Sequence, residues 1–331
     1  MQLITDRDLL QLLPGNKFTL DISSWPLANI VQALDRMPSL ADTVVLLNGD
    51  IFRHHYQKSI LEHKLLQNKK LFLTECGYQN KQINPTQWIL SWPKFYFIRH
   101  QVPKSIKSST TEFGFSCLNN RTALHRLLLG YSLSQAGLLD NMIFVQFEFD
   151  GWWDHGLPAP TITTQLPGFD DYLRTLPLRV NDNLVPIGKF VDQDINSHPI
   201  FSNAYCNIVT ESEAGDDVYN AYAYNPHLEM ISEKSYKPFI NCQIPLMLAC
   251  KGHVTYLKSL GFEMMEDLLP ANYDSMRVLD KIRAITDLVA KGKQFIQDYY
   301  FSHLREINHN HDLVSSDAVD GLILQNIKNI L

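Results

Sequence analysis

The sequence lacks a long apolar run, a paired cysteine motif, a glycine-rich phosphate loop and a basic cluster, and each absence removes a class of protein. The purest apolar run, Ile244–Cys250, is far too short to cross a bilayer, which takes about 20 residues. Asp6, Arg7 and Asp8 leave no signal-peptide core in the opening segment, so a cytoplasmic protein with no membrane span is expected. The five cysteines (Cys76, Cys117, Cys206, Cys242 and Cys250) are odd in number, form no CxxC and lie in apolar contexts. That usage fits reduced core thiols better than disulfides or zinc. The 29 basic and 35 acidic side chains give a net −6, and the basic ones are scattered, which argues against nucleic acid as the main partner. No Walker loop or GxGxxG occurs, which weakens NTPase and dehydrogenase readings, and no fixed-period repeat suggests a solenoid or propeller.

What is present describes a folded chain: 45% apolar and 19% charged residues support a sizeable core, and 331 residues allow two domains or one large one. Short β-branched and aromatic runs recur at Thr43–Leu47, Lys70–Thr74, Phe95–Arg99, Phe113–Leu118, Met142–Phe147, Cys206–Thr210 and Pro245–Cys250. Near-continuous apolar runs suit strands buried on both faces, and their alternation with helical stretches predicts α/β units with parallel sheets. The polar stretch Gln101–Thr111 is the expected linker, dividing an α/β domain over 1–105 from a second over 106–305, with an insertion near 150–202 and a tail helix over 306–331. Leu124, Leu127, Leu128 and Tyr131 follow helical spacing, with Asn119 or Asn120 as cap, Arg121 in the first turn and Gly137 at the end. A longer helix is expected from Asp274 or Ser275 towards Tyr300, then a break at Asn308–Asp312 and an amphipathic helix over Val319–Leu331.

Two constellations suggest chemistry. The first, Phe113 to Arg126, is a buried strand leading into a helix start, whose free N–H groups, with Arg121, His125 and Arg126 beside them, suit a diphosphate. A solvated helix face with a capping asparagine is the competing reading. The second runs from Asn207 to Glu211, whose carboxylate leaves a buried strand where α/β sheets bind ligands, and resumes at Ile231–Ile240. There Ser232 can cap a helix carrying Glu233, Lys234 and Lys237, although Glu233 and Lys237 also make an ordinary exposed i, i+4 pair. His309 and His311 read as a solvated loop, so no metal site is expected. Asp150-Gly-Trp-Trp-Asp154-His155 reads as a core patch rather than a sugar-stacking platform.

Ile208-Val-Thr-Glu211, Ser232-Glu-Lys-Ser-Tyr-Lys-Pro238 and Gln243-Ile-Pro245 together resemble the donor-binding core of the α-1,3-fucosyltransferase-like GT-B glycosyltransferases. Cys117–Arg121 with His125-Arg126, Leu257–Phe262, Asn272-Tyr-Asp274 and Arg283 resemble uncharacterised bacterial and phage relatives of that group. The resemblance spans Phe113 to Arg283, about half the chain, with Glu-Ser at 211–212 where the family usually has Glu-Asn. It implies two Rossmann-like domains facing a cleft, a bacterial or viral origin, and metal-independent, inverting transfer of a sugar from a nucleoside-diphosphate donor, a GDP-sugar among the candidates, to a glycan or other hydroxyl-bearing acceptor. By that resemblance Glu233 and Lys234 hold ribose and phosphates, and Arg121 or Arg126 neutralises diphosphate. The N-terminal half would carry acceptor and base, for which Asp50, His54, His55 and Glu75 are the candidates, with Glu75 first and Asp50 next. The alternatives are a non-catalytic nucleotide-sugar or glycan-binding protein on the same fold, or another two-domain α/β enzyme such as a hydrolase.

Overall fold

The computed structural model describes residues 6–21, 27–36, 41–47, 60, 62, 66, 69–75, 81–91, 104–119, 123–146, 166–181, 199–211, 214 and 231–331. Its strands form two sheets. The first contains β1 (Lys17–Asp21), β2 (Thr43–Leu47), β3 (Lys70–Glu75), β4 (Lys81–Asn84) and β5 (Gln87–Ser91) in the order β1-β2-β3-β5-β4. The second contains β6 (Phe113–Asn119), β7 (Met142–Gln146), β8 (Leu178–Val180), β9 (Ala204–Thr210) and β10 (Ile244–Leu248) in the order β10-β9-β6-β7-β8. Each sheet is parallel except for one antiparallel edge strand, β4 or β8. The chain is therefore α/β with two mixed, parallel-dominated sheets, and none of the described strands pairs across 101–111. The expected strand at Phe95–Arg99 lies outside the described residues.

Burial on both faces explains the apolar runs. In β2, Val44 and Leu46 join a cluster with Ile30 and Leu34 of α2 (Leu27–Asp35), while Val45 and Leu47 enter a different one on the other face. That second cluster joins the two sheets: it holds Phe72, Trp88 and Leu90 of the first, and Val209 and Met247 of the second. Leu9 of α1 (Asp6–Leu12) belongs to it as well. On its opposite face the second sheet packs Phe115, Phe144, Ile208 and Leu246 against α3 (Leu124–Gln135) and other helices.

The remaining helices are α4 (Phe169–Arg174), α5 (Pro199–Ser202), α6 (Lys237–Ile240), α7 (His253–Ser259), α8 (Val278–Ala290), α9 (Gly292–Ser302), α10 (Leu304–Val314) and α11 (Ala318–Lys328). Two expectations need correction. The single long helix from Asp274 is two, because Gly292 adopts φ +83°, a left-handed conformation that interrupts the helix between α8 and α9. Asn308–Asp312 is helical, within α10: Asn310 is buried and accepts from the Glu263 N–H at 2.8 Å while donating to the Glu263 carbonyl at 2.7 Å, so a polar stretch is held in register against a neighbour. Val319, Ile323 and Ile327 of α11 sit inside the cluster that joins the sheets, so this helix is docked.

Residues 104–111 are fastened to the second sheet's side rather than free. Lys107 is buried, donating its backbone N–H to Tyr300 Oη at 3.0 Å and its ammonium to the Asn241 carbonyl at 2.8 Å. Cys117, Cys206, Cys242 and Cys250 are buried thiols, in line with the reading of the sequence, and Cys76 lies outside the described residues. No helix among the described residues is long and apolar enough to cross a membrane.

Candidate functional site

Strand order in the second sheet reverses between β6 and β9, since the chain runs from β6 to β7 on one side and places β9 and β10 on the other. Open α/β sheets bind ligands at the C-terminal ends of strands flanking such a reversal. Three strands end there in a hydrogen-bonding residue. Alternation puts Asn119, Thr210 and Gln146 on the face that carries α3, one row beyond Cys117, Ile208 and Phe144. Thr210 Oγ1 donates to Asn119 Oδ1 at 2.5 Å, and Asn119 pairs in register with Gln146. All three are buried, and the Gln146 carboxamide has no hydrogen-bond partner among the described residues. Asn119 is thus a strand residue rather than the cap of α3, whose N-cap is Ala123 with no side-chain cap bond.

Glu211, the residue after β9, joins this row to the second constellation. From the α3 side, His125 Nε2 lies 2.8 Å from the Glu211 carbonyl oxygen, and Arg126 Nη2 donates to the same carbonyl at 2.9 Å and to that of Thr210 at 3.3 Å. A carbonyl only accepts, so His125 carries its proton on Nε2. The Glu211 carboxylate points the other way. Its Oε1 accepts from the Ser232 N–H at 3.0 Å and from Ser235 Oγ, and its Oε2 accepts from Ser232 Oγ at 2.7 Å. Ser232 in turn caps the turn Glu233–Tyr236, accepting from the Lys234 N–H at 3.3 Å, while the Lys234 ammonium lies 3.3 Å from Ser232 Oγ.

The electrostatics follow from burial. Burial alone would raise the Glu211 pKa, but Lys234, His253 and the two serine hydroxyls outweigh it and hold the carboxyl at about 2. His125 is pushed down to about 3, chiefly by burial and then by Arg126, so it is a neutral imidazole with no charge to offer a phosphate. Ser235 is fully buried, gives its hydroxyl proton to Glu211 and therefore accepts from His253 Nε2, 2.8 Å away. A serine committed in that way is not an exposed nucleophile.

The sites expected from the sequence are distributed unevenly. The structure brings His125, Arg126, Glu211, Ser232 and Lys234 together, and buries Lys237 in the short helix that follows. Burial of His125, Arg126 and Lys237 overturns the solvated-face readings of both segments. Glu233 lies in the capped turn and Glu75 ends β3, opposite Ser91, although their side chains lie outside the described residues. Arg121, Asp50, His54, His55 and the Asp150–His155 cluster also lie outside them. His309 Nε2 lies 2.9 Å from the Gly261 carbonyl and His311 is buried in α10; no metal-binding group occurs among the described residues.

Motif residues without an assigned role in the sequence shape the end of β10. Asp274 accepts from the Val254 and Thr255 N–H groups at 3.0 and 2.9 Å and from Thr255 Oγ1 at 2.7 Å, closing the N-terminus of α7. Tyr273 Oη donates to the Met247 carbonyl at 2.8 Å, and the buried Lys281 ammonium to that of Ala249 at 3.0 Å. Arg283 makes an exposed pair with Asp280, 3.1 Å apart. No protein-family model matches the chain, and no curated protein matches it.

Proposed function

We propose that the chain is a GT-B-type, inverting glycosyltransferase that moves a sugar from a nucleoside-diphosphate donor to an acceptor hydroxyl without an essential metal. The observation that supports this is the mooring of the Ser232–Tyr236 turn, with Lys234 in it, to the end of β9 at the strand-order reversal. In this reading Lys234 faces the diphosphate and Glu233 the ribose, and Arg121 and the uncapped start of α3 add positive potential. Glu75, or Asp50 as the second candidate, takes the proton of the acceptor hydroxyl. The acceptor oxygen then bonds to the anomeric carbon as the bond to the diphosphate oxygen breaks, and the negative charge growing on the leaving group is stabilised by the Lys234 side.

A thermal-shift panel of nucleoside diphosphates tests the site, because a ligand at about 100 times its Kd adds about 2.7 kcal/mol of stability. Lys234→Ala should weaken binding of the stabilising nucleotide by roughly one to two decades with the fold intact, since a charge-assisted bond is worth about 1.5–3 kcal/mol. Unchanged affinity removes Lys234 from the site. Glu75→Gln should retain nucleotide affinity and lower turnover by about 10²-fold or more. Full transfer activity in that variant refutes the base assignment, and tight nucleotide binding with no transfer to any acceptor favours a binding protein.

A further inference from the structure

We infer that Glu211 is a positioning residue that sets Lys234 for the ligand, rather than a ligand contact itself; the inference rests on the donor-site reading above. Its side chain is fully buried, and both carboxylate oxygens face the protein, accepting from Ser232 N, Ser232 Oγ and Ser235 Oγ. A carboxylate turned towards a diphosphate would repel it, whereas one held behind Ser232 attracts the lysine that meets it. Ser232 is the link: it bonds the carboxylate through two of its groups, and its hydroxyl oxygen takes the Lys234 N–H and lies beside the Lys234 ammonium, both at 3.3 Å. Glu211 itself is gripped from behind, because His125 and Arg126 hold its backbone carbonyl. Glu211 therefore ties the start of α3 to the Ser232–Tyr236 turn, the two places from which the proposed site draws positive potential. Ser235 extends the tie to His253 at the start of α7.

The test is a double-mutant cycle of guanosine diphosphate affinity by calorimetry on the full chain, with Glu211→Gln, Lys234→Ala and the double variant. If the carboxylate acts through the lysine, each single variant binds about tenfold weaker or worse, and the double variant binds no more weakly than Lys234→Ala alone. Losses that multiply mean that Glu211 meets the ligand independently, and an undiminished Glu211→Gln beside a weakened Lys234→Ala means that it does not set the lysine; either overturns the inference while sparing the reading. Should Glu211→Gln fail to fold, Ser235→Ala, which keeps the charge and removes one of its hydrogen bonds, takes its place in the cycle. Amide exchange on the free protein provides the arm that needs no nucleotide. The Ser232 and Lys234 amides should exchange about tenfold faster in the variant, with β7 amides unchanged, and equal exchange overturns the inference. A wild type that binds no guanosine diphosphate, or an undiminished Lys234→Ala, counts against the reading, and the exchange result then decides the positioning role by itself.

Discussion

Lowering the pH should destabilise this fold through one imidazole before the carboxylates take part. His125 is held neutral down to about 3, against an ordinary value of 6.5, by burial and by Arg126. Its folded pKa lies below its unfolded one, so the unfolded chain binds the proton first. The stabilisation is whole above pH 6.5 and drains away as the pH falls towards 3. Each pH unit in that window costs roughly 1.4 kcal/mol, which makes about 3 kcal/mol between pH 6.5 and 4.5. Glu211 titrates in the unfolded chain only near 4.5, so its own loss comes later, as the pH falls from there towards about 2. The assay is urea unfolding at half-unit steps from pH 7 to 4.5, comparing wild type with His125→Gln, whose amide can still donate to the Glu211 carbonyl and does not titrate. Subtracting the two curves cancels the histidines common to both. Equal slopes in the two proteins, or an NMR titration of the His125 ring near its ordinary value, would refute the reasoning.

Two further substitutions probe the frame of the site. Asp274→Ala removes three hydrogen bonds from the first turn of α7 and should cost about 1–2 kcal/mol in a urea titration; an unchanged midpoint would show that water replaces the cap without loss. A Cβ on Gly130 would lie 2.0 Å from Tyr172 Oη and 2.9 Å from Phe144 Cζ, so Gly130→Ala should destabilise by about 1–3 kcal/mol despite alanine's better helix propensity, and a stabilised variant would refute that packing argument.

The parallel strands were legible wherever both faces are apolar: β2, β3, β6, β7, β9 and β10 each follow a run that reads as a strand on its own. β1 and β4 escaped because KFTLD and KQIN carry too little apolar residue to stand out, and only the sheet beside them decides their conformation. At the site, Ser232 reads as a cap from sequence and is one. What the one-dimensional pattern hid was direction. His125 and Arg126 looked like groups for a phosphate, yet they turn inward to backbone carbonyls, a fate that depends on where β9 ends rather than on helical spacing. The row of Gln146, Asn119 and Thr210 did leave a trace, since a residue able to hydrogen-bond stands at or next to the end of each of three apolar runs, but only the register sets them side by side. Lys281 reaches the end of β10, and Asp274 the start of α7, from later segments of the chain, contacts that the local pattern around them does not announce.

The apolar layer that unites the sheets also imposes an order on synthesis. Val45, Leu47, Phe72, Trp88 and Leu90 leave the ribosome well before Val319, Ile323 and Ile327, which share their cluster. Until α11 emerges, one side of the first sheet has part of its partner surface still unmade, and that nascent intermediate presents an oily face to chaperones and to its own copies. Expressing the N-terminal half alone would therefore arrest the chain at its stickiest stage, whereas supplying α11 in trans as a peptide offers a route to rescue it.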